Sequence, residues 1–93
     1  MRERDAEKDA ARVAEDLIAL LPSDSEARDI AEIDILGGEY EAAIFVALDE
    51  LSELTAEVPP ELTDAAHHHC ARRWGGNPKM MQFIDQKIAS ISA

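Results

Sequence analysis

The chain reads as all-α, a compact antiparallel bundle of about five helices, and three observations predict it. Glycine and proline number 4 each in 93 residues, so few positions interrupt regular structure. The apolar residues, 46% of the chain, are mostly Ala, Leu and Ile, and alanine and leucine are strong helix formers. The glycines and prolines fall between segments whose apolar residues recur at helical spacing. A chain of this length forms a single helical domain, 1–93, with one core.

The first helix is expected over residues 3–21, with Ala6, Ala10, Val13, Leu17, Leu20 and Leu21 inward, until Pro22 stops it. On its polar side Arg12 reaches Glu15 or Asp16, and Lys8 lies one turn from Asp5, a solvated face. Ser23 or Ser25 caps a second helix with acids in its first turn. Its apolar positions are Ala27, Ile30, Ile33 or Asp34, and Ile35 or Leu36, and Gly37-Gly38 closes it. The third helix runs from about Glu39 to Glu57, where Val58-Pro59-Pro60-Glu61 ends it and starts a fourth. The fourth covers about Glu61 to Trp74, up to Gly75-Gly76. Asn77 caps a fifth, with Pro78 at its first position, running to about Ile91. Met80, Phe83, Ile84, Ile88 and Ile91 of that helix pack inside or support a dimer.

Charge is distributed unevenly. Residues 1–57 hold 17 acids and 5 bases, while residues 58–93 hold 3 acids and 4 bases, so the net charge of −11 belongs to the first part of the chain. Such a surface repels phosphate backbones and anionic lipid headgroups and attracts cationic partners. Cys70 is the only cysteine, which suits a reducing cytosol. The opening MRERDAEKDAARV carries too many charges for a secretory signal, and no apolar run approaches the roughly 20 residues that span a bilayer. The expectation is a soluble, cytoplasmic protein with no membrane or nucleic-acid partner and no cofactor.

The third helix carries the densest acidic stretch, DELSELTAE at residues 49–57. With Asp49 at zero and about 100° per residue, Asp49, Glu50, Glu53 and Glu57 project between about 0° and 100°, and Glu39 near 80°. Like charges one turn apart destabilise a helix by about 0.2–0.5 kcal/mol per pair, so the row is either a plain solvated face or a surface awaiting a cation. Tyr40, Ile44, Ala47, Leu48, Leu51, Leu54 and Val58 form the core stripe on the other side. Val46 projects near 60°, amid the acids, and Phe45 near 320°, on their flank. Either the helix lies centrally and both are covered, or they are apolar anchors within an acidic binding surface.

The segment GGEYEAAIFVALDELSELTAEVPPEL, residues 37–62, resembles the signature region of MafI-family bacterial immunity proteins. Gly38, Glu39, Tyr40, Ala43, Leu48, Leu51 and Pro59 carry the resemblance, which covers roughly residues 30–70. The HHHC run and the WGGNPKMM segment lie outside the pattern. The resemblance implies a small helical protein that binds and neutralises a bacterial toxin domain, as in contact-dependent or polymorphic toxin systems. It also gives Tyr40 a structural place at a helix start. Nuclease toxins have basic substrate clefts, which an acidic protein can occupy. Under this expectation the protein works by binding rather than catalysis. Glu39, Asp49, Glu50, Glu53 and Glu57 steer the partner, and Phe45 and Val46 anchor it.

Two other clusters compete. His67 and Cys70 in HHHC are three apart and share a helical face, which makes them weak metal candidates, with Asp64 one turn earlier. Cys70 or His69 packed inward beside Ala66 is the structural alternative, and a metal-dependent enzyme the functional one. Trp74 with Arg72, Arg73 and Lys79 either stacks a nucleotide or closes the bundle. If the C-terminal half were a helix-turn-helix regulator, Arg72, Arg73, Lys79 and Lys87 would face DNA.

Overall fold

Local chain chemistry sets most of the helix ends. The computed structural model describes residues 3–91. Among them five helices form an all-α bundle: α1 (Glu3–Ile18), α2 (Glu26–Leu36), α3 (Tyr40–Glu53), α4 (Pro60–Trp74) and α5 (Pro78–Ala89). Ser25 caps α2 by accepting the Arg28 amide at 3.3 Å, and Asn77 caps α5 by accepting the Met80 amide at 3.1 Å. Pro60 and Pro78 occupy first helical turns, where their missing N–H leaves no bond unmade.

Three expectations change. α1 stops at Ile18 rather than residue 21. The amides of Leu20 and Leu21 donate to the carbonyls of Leu17 and Ile18 at 3.0 and 2.9 Å, three residues back, and tighten the last turn. That tightening turns Leu21 into the core and leaves Leu20, expected inside, exposed. α3 stops at Glu53 rather than Glu57, because Thr55 takes a left-handed conformation with φ of 47°. Its amide donates to Ser52 O at 3.1 Å, and that of Ala56 to Leu51 O at 3.0 Å, the crossed pair of bonds that closes a helix. Gly38, with φ of 78°, closes α2 by the same pattern through Ile35 O and Asp34 O. Leu54, placed in the core stripe by periodicity, is thereby exposed. Finally, α2 does not turn the expected apolar face inward. Of its residues, all described, Ala31 alone is buried, while Ile30, Ile33 and Leu36 are exposed.

The core gathers around α3, which touches each of the other four helices. Ala43, Ile44, Ala47, Leu48 and Leu51 are buried there, against Val13, Ala14 and Leu17 of α1, Ala66 and Cys70 of α4, and Ile84 of α5. The alanines of α1 and α3 let the backbones approach, and each fully buried Leu or Ile contributes about 1.5–3 kcal/mol. Tyr40 is half-buried against this core at the start of α3. α2 packs on α1 and α3, and α5 on α3 and α4. Among the described residues no helix is long and apolar enough to cross a membrane.

Thr55 is β-branched, and a left-handed backbone costs such a residue about 1–2 kcal/mol. Its hydroxyl donates to Leu54 O at 2.7 Å, a solvent-exposed bond that returns little of this. Thr55→Gly should therefore raise the free energy of unfolding by about 0.5–1 kcal/mol after glycine's extra unfolded-state freedom is counted. A shift of the urea midpoint upward, with unchanged slope, is the expected result.

Candidate partner-binding surface

The acidic row of α3 meets a cation from within the same chain. Lys87 of α5 extends its ammonium to Asp49 Oδ1 at 2.7 Å and Glu53 Oε1 at 3.6 Å, crossing the Phe83 ring 4.8 Å from its centroid. The hydrogen bond to Asp49, then the nearby charges of Asp49 and Glu53, holds the Lys87 ammonium above its usual pKa range. The repulsion between Asp49 and Glu53, one turn apart, is relieved at that point. Glu50 is different. It is half-buried on the same helix, and among the described residues it forms no ion pair.

Phe45 and Val46 diverge as their projection requires. Phe45 stacks on Phe83 (centroids 5.6 Å apart) and meets the edge of Trp74 (6.0 Å), forming an aromatic cluster that ties α3 to α5 and the end of α4. Both Phe45 and Val46 are half-buried against the core, between the two extremes of full cover and free anchor. Both also line a groove of about 330 Å³ between α2 and α3, together with Glu26, Ala27, Ile30, Asp49 and Glu50. Four of the expected binding residues are thus brought to one place: Phe45, Val46, Asp49 and Glu50. Glu53 lies one turn beyond, on Lys87. Glu39 precedes the first turn of α3, and Glu57 leaves the row altogether because the helix ends before it. Glu57 instead borders a depression with Leu20, Val58 and Pro59.

Glu26, Ala27 and Ile30 are not among the residues expected from the sequence, yet they line the same groove. Periodicity places Ala27 and Ile30 on a common side of α2 but does not say that this side opens onto a groove. The spread of Ile30, Ile33 and Leu36 around the helix was the available signal, because one buried stripe cannot take all three along with Ala31 and Ile35.

The HHHC run divides among three environments. His67 bonds Asp85 of α5 at 2.9 Å near the surface, and His68 is exposed. His69, 1% exposed, donates from Nε2 to Asp9 Oδ2 of α1 at 2.6 Å, while its Nδ1 has no partner among the described residues. Cys70 lies in the core, and burial, with a smaller effect from Glu41, pushes its thiol up to about 12. His67 and Cys70 share no third donor: among the described residues no group of three His, Cys, Asp or Glu side chains could hold a metal. The cations of the C-terminal half are likewise split. Lys87 faces α3, while Arg72, Arg73 and Lys79 are exposed and Trp74 packs against the core.

Asp9 accepts from Arg12 at 2.7 Å on its other oxygen, and Arg12, then His69, holds its carboxyl below the ordinary value of 3.8. A depressed carboxyl contributes stability that is complete above its unfolded-state pKa and is lost as pH falls through the lower folded one. Asp9→Asn should destabilise the protein at neutral pH, and the difference from the native chain should shrink below about pH 4, as read from urea unfolding at both pH values. Cys70 should not react with a thiol reagent at pH 8 in the folded protein and should react at once in denaturant, since only the accessible thiolate is nucleophilic. In comparisons with known proteins, no family model, no curated protein and no solved structure matches this chain.

Proposed function

We propose that this chain is an immunity protein that binds a cognate bacterial toxin domain and blocks its basic active site or substrate cleft. The observation that carries the reading is the α2–α3 groove. Its apolar floor of Ala27, Ile30, Phe45 and Val46 is framed by Glu26, Asp49 and Glu50, with no basic residue among the described residues that line it. Glu26 and Glu50 have no ion-pair partner among the described residues, and Asp49 is shared with Lys87, so an apolar contact edged by net negative charge suits a cationic protein surface. The charges govern encounter rate and partner choice, and the apolar side chains supply affinity once water is expelled. The confinement of the negative excess to residues 1–57, which include both groove helices, supports the same reading. So does the resemblance of residues 37–62 to MafI-family proteins.

A thiol-based enzyme is less well supported, because the Cys70 side chain is buried and its thiol is pushed to about 12. A DNA-facing C-terminal half would give up Lys87, which is engaged by Asp49 and Glu53.

Co-expression with the product of the neighbouring upstream reading frame tests the proposal, with host survival and co-purification as readouts. Protection and a stable complex are expected, and neither appearing would overturn it. With that complex in hand, Glu26→Gln with Glu50→Gln should slow association several-fold and flatten its salt dependence, leaving dissociation nearly unchanged. Lys87→Gln should do the opposite, by returning Asp49 and Glu53 to the field of the surface. An association rate and salt slope indifferent to all three substitutions would place the docking site elsewhere.

A further inference from the structure

We infer that the outer face of α2, rather than the acidic row of α3, is the apolar centre of the docking surface, and that it receives a basic protein segment presenting its own apolar ridge. This rests on the toxin-binding reading and specifies how the partner sits. Leu36 is 88% exposed, Ile33 66% and Ile30 45%, so half of the large exposed apolar side chains among the described residues stand on this one short helix. At about 100° per residue the three cover an arc of about 120° centred nearly opposite Ala31, and they extend about 9 Å along the axis. Isolated exposed leucines are ordinary, but a contiguous apolar ridge on a helix marks an interaction surface.

The ridge has depressions on both sides. Ile30 borders the α2–α3 groove, and Leu36 borders a second groove of about 410 Å³ between α1 and α2, lined also by Ile18, Ala19 and Ile35. A partner laid across α2 can seat side chains in both while the ridge packs against its body, the centrally buried arrangement that concentrates binding energy.

Charge decides the occupant. Glu26, Asp29 and Glu32 are exposed around the ridge, on the half of the helix away from Ala31. The one base of α2, Arg28, lines the α1–α2 groove, but it is engaged there by Leu21 O at 3.0 Å and Glu32 at 3.3 Å, and Glu15 stands in the same lining, so the groove carries no net positive charge from these residues. A second copy of the chain docking through this face would set those acids against themselves about a two-fold axis, in a chain of net charge −11. An anionic lipid surface is repelled by the same acids. A basic, apolar-ridged protein segment satisfies both features.

Two labelled synthetic helical peptides of equal positive charge test this by fluorescence anisotropy. One is built of lysine and leucine with the leucines along one face, and the other has serine in place of leucine. The lysine–leucine peptide should bind the native chain, and Ile33→Ser with Leu36→Ser should weaken it at least about tenfold. The lysine–serine peptide should bind more weakly and equally to both proteins. The substituted residues are solvent-facing, and an unchanged urea midpoint verifies the fold. Indifference of the lysine–leucine peptide to the double substitution would overturn the inference. So would sedimentation showing a native dimer that the double variant converts to monomer, since a second copy would then be the occupant. The immunity reading fails separately, if the native chain does not protect a host expressing the upstream product. Protection by the native chain and the double variant alike would refute the α2 face and leave that reading standing.

Discussion

One packing constraint organises this molecule: α3 must bury a stripe of Ala43, Ile44, Ala47, Leu48 and Leu51 against four neighbours at once. A helix of 14 residues in contact with every other helix has little perimeter left for solvent. Asp49, Glu50 and Glu53 share the perimeter left near its C-terminal end and lie close together despite their mutual repulsion. Phe45 and Val46 both line the groove toward α2, and Phe45 also stacks on Phe83 of α5, so it is shared between two parts of the fold. The groove and the Lys87 contact are two outcomes of the same crowding.

The acidic surface is consequently not uniform. Where α5 comes close, Lys87 compensates Asp49 and Glu53 and its ammonium lies over the Phe83 ring, so that stretch helps hold the bundle together. Toward α2 the compensation stops, and Glu50 and Glu26 face the groove with no cation among the described residues of its lining. Long-range attraction by the whole negative half and short-range contact at the groove are separable physical effects. The first falls with ionic strength and the second does not.

The parts of this fold that depend on adjacent residues were legible in the sequence. Gly37-Gly38, Pro59-Pro60 and Asn77-Pro78 mark helix ends because the backbone conformations they permit are fixed by residue type alone. The end of α3 was not legible, because Thr55 gives no sign of adopting a glycine-like conformation and the apolar periodicity continues through Leu54 and Val58. Of the site, the grouping of Phe45, Val46, Asp49 and Glu50 followed from angular spacing on one helix, and the groove collects those four. Contacts between distant segments were out of reach. Nothing in local pattern reports that Lys87 would reach Asp49, or that His69 would donate to Asp9 across 60 positions. The orientation of α2 failed for a related reason, since its spacing is equally compatible with either side facing inward.

The attachment of α2 through Ala31, with Ile35 beside the core, separates two kinds of residue that most small proteins must combine. Ala31 and Ile35 face inward and keep α2 in place, while Ile33 and Leu36 stand mostly exposed. Replacements at such solvent-facing positions usually change stability by less than about 0.5 kcal/mol. The outer rim of this helix can therefore be rewritten residue by residue while the scaffold beneath stays the same. Under the proposed immunity role that freedom would let the contact residues change without the core having to change with them.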